Sequence, residues 1–173
     1  MKFEYKTKLS INLPKLKFDD GDSKAFRKKA NAALGAGIIK GMAAVEKALK
    51  PALDAAINSL WEWNRNPVWR DGTQPGNPRD IVHTGKLRDS QSFKTSFLKT
   101  KANLAISYKV PYAAFVYYGG VMQPYGNKNA PSVIIPGRPW IEAILNGTHG
   151  QEKFDFVGIF NDAWNDEFQK RIG

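Results

Sequence analysis

The sequence predicts an α+β fold in which a long N-terminal helix packs on an antiparallel β-sheet and a C-terminal helix follows. Three observations predict it. Apolar residues fall on every second position from Phe3 to Leu13, at steps of four and three from Phe26 to Leu60, and at near-helical spacing again from Phe154 to Phe168. The first period belongs to a half-buried strand, the other two to helices with one buried stripe. Between the helical stretches, short alternating runs are punctuated by Gly and Pro, which suits strands and tight turns.

In chain order, Phe3, Tyr5, Thr7, Leu9, Ile11 and Leu13 alternate with Lys2, Glu4, Lys6, Lys8, Ser10 and Asn12, and Pro14 ends the run. A lysine-studded strand suits a sheet edge, because charge discourages promiscuous pairing there. The alternative is an arm, over residues 1–18, that adds to the sheet of a neighbouring subunit. Asp19-Asp20-Gly21-Asp22-Ser23 has the look of a calcium loop but lacks the distal bidentate Glu. It reads instead as a turn followed by an N-cap at Asp22 or Ser23. The long helix, over 23–60, carries its stripe on Phe26, Ala30, Leu34, Ile38, Met42, Val45, Leu49, Leu53, Ile57 and Leu60. Pro51 predicts a kink or break near Lys50, and Gly35, Gly37 and Gly41 permit close approach of another backbone.

Residues 61–80 read as a long irregular loop. Trp61, Trp63, Trp69 and Arg70 lie among Asn, Pro and Gly there, and aromatic side chains beside arginines are frequent interface anchors. Alternatively the tryptophans cap the end of the long helix, or stack nucleotide bases. The β-rich core follows over 81–138. Thr84 can cap a short helical turn in which Gly85 takes a conformation closed to other residues and Leu87 points inward. Ser92–Leu98 and Leu104–Tyr108 then suit two adjacent strands joined around Thr100-Lys101-Ala102-Asn103. The C-terminal helical region spans 139–172, beginning at Pro139.

Composition narrows the chemistry. At 173 residues the chain is read as one domain, with 42% hydrophobic and 24% charged residues and no Cys, so disulfides, thiol catalysis and cysteine-built zinc sites are out. The net charge is +10, and residues 1–50 carry 12 Lys and Arg against 5 Asp and Glu. That front-loaded excess suits either a solvated face or attraction to phosphate. The N-terminus alternates charge with bulk and does not read as a secretion leader. The longest charge-free run, Val110–Asn127, is broken by Pro and Gly and does not read as a membrane span. His83 and His149 sit in no nucleophile, phosphate-loop or metal-ligand pattern, and Asp162 and Asp166 read as a solvated helix face. No catalytic, cofactor or metal site is expected.

Three stretches nevertheless stand out: His83-Thr84-Gly85-Lys86-Leu87-Arg88-Asp89-Ser90, Val110-Pro111-Tyr112-Ala113-Ala114-Phe115-Val116-Tyr117-Tyr118-Gly119-Gly120, and Pro136-Gly137-Arg138-Pro139-Trp140-Ile141. In that order, after a long helix, they resemble the neck and tail-completion (head–tail connector) proteins of long-tailed bacteriophages. The resemblance runs from about Arg79 to Leu145. His83 stands where that family usually has Asp, Asp89 takes a short polar position, and Gln91 replaces a common aliphatic residue. An acidic residue before the family's Gly-Thr is lost at Tyr117-Tyr118, and Gly137 replaces Ala.

What the resemblance implies is a non-enzymatic structural protein of the virion, assembled in the host cytoplasm. It would form a homo-oligomeric ring, hexamer or dodecamer, at the neck or top of the tail. Its neighbours would be head-closure or connector proteins and tail-tube or tail-terminator proteins, with DNA passing non-specifically and no membrane involved. Ring contacts need two different surfaces on each subunit. The candidates are Phe3, Tyr5, Trp61, Trp63, Trp69, Arg70, Arg88, Tyr112, Tyr117, Tyr118, Arg138 and Trp140. The basic first third supports an alternative, a DNA-binding protein acting as monomer or dimer.

Overall fold

A computed structural model describes residues 5–13, 15–58, 85–98, 101–122 and 133–173. The order of elements is β1 (Tyr5–Asn12), α1 (Lys24–Asn58), α2 (Lys86–Asp89), β2 (Gln91–Phe97), β3 (Lys101–Tyr108), α3 (Ala113–Tyr118), β4 (Gly119–Met122), β5 (Val133–Pro136), α4 (Trp140–Asn146) and α5 (Phe156–Ile172). The fold is α+β, with a long N-terminal helix, a three-stranded antiparallel sheet ordered β1-β3-β2, and a C-terminal helix. A separate two-stranded sheet pairs β4 with β5. The chain divides into two compact units, one made of Met1–Lys6, Ala52–Ser92 and Ser107–Phe154, the other of Thr7–Pro51, Phe93–Ile106 and Asp155–Gly173.

In the second of these units, α1 begins where Ser23 caps it: the Ser23 hydroxyl accepts from the Phe26 amide at 3.1 Å and its carbonyl from Arg27. Asp22 closes the preceding turn, accepting from the Asp19 amide through its carboxylate. The buried stripe runs through Ala30, Ala33, Ile38, Met42, Val45 and Leu49. Phe26 departs from the expected stripe. It is 42% exposed and meets Phe18 edge-on at 6.5 Å, because the first turn of the helix extends past the core.

Helix α5 lies antiparallel against α1. Lys29 reaches the carbonyl of Ile172, Gly37 faces Trp164, and Gly41 faces Phe160, so positions rise on one helix as they fall on the other. A Cβ on Gly37 would sit 2.7 Å from the Trp164 ring, and one on Gly41 2.7 Å from Phe160 and 2.9 Å from its carbonyl oxygen. These two glycines are therefore notches for two aromatic side chains spaced one helical turn apart. Asp155 caps α5 by accepting from the Gly158 amide. On its outer face Asp166 pairs with Lys170 and Glu167 with Arg171, both at 2.6 Å and four residues apart.

In place of the predicted break, α1 continues through Pro51 to Asn58. Proline removes the bond that would reach the Lys47 carbonyl, and both residues are exposed, so water can serve that carbonyl. Beyond Pro51, Leu53, Ala56 and Ile57 are fully buried in the first unit.

The β2–β3 hairpin is tighter than the sequence suggests. Lys101, Ala102 and Asn103 belong to β3, and the Leu98 amide donates to the Lys101 carbonyl. Ala102, Leu104, Ile106 and Tyr108 form its buried face. On the other face Asn103 accepts from the Ser10 hydroxyl on β1. Gly85, with φ 71°, occupies the N-cap of α2 in place of the expected Thr84, while Leu87 is buried as expected. The C-terminal region holds two helices, separated where Gly147 turns left-handed (φ 67°) after α4.

Candidate subunit interface

The residues that define the most distinctive surface begin in the core. Tyr108, at the end of β3, accepts hydrogen bonds from the Trp140 indole at 2.9 Å and the Gln91 amide at 2.8 Å. Burial pushes its hydroxyl up to about 12 from the ordinary 10.0. Trp140 packs edge-on against Tyr108 at 5.3 Å and against Tyr117 at 4.8 Å, and Tyr117 against Tyr118 at 5.1 Å. Edge-to-face contacts of this kind add about 0.5–1.5 kcal/mol each beyond area burial. The column leads outward, for Tyr108, Trp140 and Tyr117 are buried while Tyr118 is 71% exposed.

Tyr118 ends α3, and Gly119 turns the chain straight into β4 with φ 75°. A Cβ on Gly120 would meet the Phe115 ring at 2.6 Å, so the ribbon folds back closely over α3. On the returning strand, a Cβ on Gly137 would lie 2.6 Å from the Tyr118 carbonyl carbon and oxygen. An Ala at that position does not fit this backbone. The Arg138 amide donates to the Val116 carbonyl at 3.1 Å and completes the fastening.

What is fastened is a short antiparallel ribbon with the register Gly119↔Pro136, Gly120↔Ile135, Val121↔Ile134 and Met122↔Val133. Val121 and Ile134 are direct cross-strand partners and are 67% and 70% exposed. Residues 110–137 hold a single charged side chain, Lys128. Native sheet edges are normally guarded by charge, proline or a bulge, and among the described residues of this ribbon only Pro136 does so. A two-stranded ribbon gains little stability alone. Its exposed face carries two β-branched side chains paired across the strands, the composition of a surface meant to be covered.

The predicted interface residues divide into three groups. Tyr118, and Tyr112 at 41% exposure, are on the surface. Arg88 is half-buried, with its guanidinium 3.2 Å from the Asp89 carboxylate. Tyr117, Arg138 and Trp140 are buried in the first unit, where Tyr117 and Trp140 belong to the aromatic column and the Arg138 backbone to its clasp. Phe3, Trp61, Trp63, Trp69 and Arg70 lie outside the described residues, as does the 61–80 loop, and of Tyr5 only the backbone, in β1, is described. Val121 lies within the Tyr-rich Val110–Tyr125 segment, which the sequence also offers as a candidate ring surface; Ile134 lies outside it, and its signal is the near absence of charge between Lys109 and Arg138.

No described helix is long and apolar enough to cross a membrane. No protein-family model, curated protein or solved structure matches the chain.

Proposed function

We propose that this chain is a structural subunit of a tailed-phage virion. It closes into a homo-oligomeric ring at the head–tail junction or the top of the tail and joins head and tail around the DNA channel. The subunit does no chemistry; it acts by shape and contact, between connector or head-closure proteins on one side and tail proteins on the other. The ordered resemblance of the three motifs supports this reading, and one structural observation carries it: the charge-free ribbon whose paired Val121 and Ile134 stand exposed. Covering each such side chain contributes about 1.5–3 kcal/mol. A closed ring requires a second, different surface, and the exposed Phe97 and Leu98 at the end of β2 are its candidates.

The test is the double substitution Val121→Asp and Ile134→Asp, examined by chemical cross-linking and negative-stain imaging. The account expects rings from the wild-type chain and single subunits from the variant. Far-ultraviolet circular dichroism should stay unchanged, because both side chains already face solvent. Rings that persist in the variant, or a wild-type chain that never forms them, would remove the ribbon from the interface.

A further inference from the structure

The unit that holds most of α1 carries fifteen Lys and Arg against eight Asp and Glu, a net +7 of the chain's +10. Much of that excess stands on one helix. Lys24, Lys28, Lys40, Lys47 and Lys50 are all exposed on α1. At 100° per residue they fall within an arc of roughly 160° and extend about 39 Å along the axis. Lys29 shares the arc but is tied to the C-terminal end of α5 through the Ile172 carbonyl. The opposing charges are few. Glu46 is the only acid on α1 before Asp54, and Asp19, Asp20 and Asp22 lie in the turn before Lys24. Glu46 and Asp54 fall within the same arc, each four residues from Lys50, so the row is partly offset at that end and least compensated at Lys28 and Lys40.

Most side chains between these lysines are small: Ala32, Gly35, Ala36 and Ala43 leave the face smooth, while Ile39 and Glu46 project from it. We infer that this lysine face of α1 binds the phosphate backbone of duplex DNA without regard to sequence. Three features select that ligand. The row is longer than one ~34 Å turn of B-DNA. It has no Arg and no exposed aromatic residue, so it can neither read guanine edges nor stack unpaired bases. The apolar stripe of α1, through Met42, Val45 and Leu49, is consumed in the core, so the helix has no apolar face to insert into a lipid surface. The inference is compatible with the ring reading, in which DNA passes the subunit, but rests on the helix face of a single chain.

The probe is a labelled duplex of about 20 base pairs, longer than the ~12 that the row spans at ~3.4 Å per step, titrated by fluorescence anisotropy. Four lysines neutralising four phosphates give a slope of log affinity against log salt near −3.6, about a 100-fold loss from about 50 to about 200 mM salt. Replacing Lys28, Lys40, Lys47 and Lys50 by Gln should remove most of that slope. A variant with equal charge loss elsewhere, Lys8, Lys101, Lys109 and Lys153 to Gln, should keep it. Equal weakening of both variants would overturn the inference, as would tighter binding to single strands, or binding to phosphatidylserine vesicles without binding to duplex. Light scattering on the same samples separates this question from the ring. The four-glutamine variant of α1 should assemble as the wild type does, and a wild-type chain found monomeric still reports a slope per chain.

Discussion

At the scale of single residues, the glycines of α1 separate two roles that look identical in sequence. Gly41 receives Phe160, and an added Cβ would meet both the ring and the backbone oxygen. Gly41→Ala should therefore destabilise by about 1–2 kcal/mol, overpacking outweighing the helix-propensity gain. Gly35 has nothing within 4 Å of its would-be Cβ, so Gly35→Ala should stabilise by about 0.5–1 kcal/mol. Urea midpoints should thus move in opposite directions.

Tyr108 makes a different prediction. Its folded-state pKa is raised from 10.0 to about 12, so the buried neutral hydroxyl stabilises the fold fully below pH 10, and this contribution is lost as pH rises through about 12. Tyr108→Phe should abolish that alkaline dependence. At neutral pH it should cost about 1–3 kcal/mol, because the Gln91 amide and the Trp140 indole lose their shared acceptor. Thermal unfolding followed from pH 8 to pH 12 measures both. The alternation of Leu104, Ile106 and Tyr108 with Ala105, Ser107 and Lys109 marks a strand, but cannot show that Trp140, thirty-two residues on, donates to Tyr108. Nor does sequence show that Trp140, Tyr117 and Arg138, named as interface candidates, are buried within the subunit, since aromatic and arginine side chains serve cores and interfaces alike.

At the scale of elements, local rules carried the helices and strands, and tertiary contacts decided the exceptions. Ser23 caps α1 because its hydroxyl reaches the free Phe26 amide in the first turn, a purely local event. Ser23→Ala should lower stability by about 1 kcal/mol. Pro51 shows the opposite case. Alone it would end a helix, yet Leu49, Leu53, Ala56 and Ile57 are buried on either side of it and keep the backbone helical through the missing bond. The ribbon was the least legible element. β4 and β5 contain only four residues each, too short for alternation to show, and their pairing spans a connection that local sequence does not specify. What the sequence did contain was the gap in charge, which is a property of the assembled surface more than of any strand.

At the scale of the whole molecule, charge and apolar surface pull in opposite directions. Copies each carrying +10 repel one another, so self-association through an uncharged ribbon should strengthen as salt rises. Contact with DNA should weaken over the same range. Opposite salt responses in one protein would distinguish a ring that surrounds DNA from a basic monomer or dimer that merely binds it. The measurement that bears most directly on the central claim is multi-angle light scattering over a concentration series at low and high salt. A single closed stoichiometry, more populated at high salt and lost in the Val121→Asp, Ile134→Asp variant, is the predicted result. A chain that stays monomeric at every concentration and salt would contradict it.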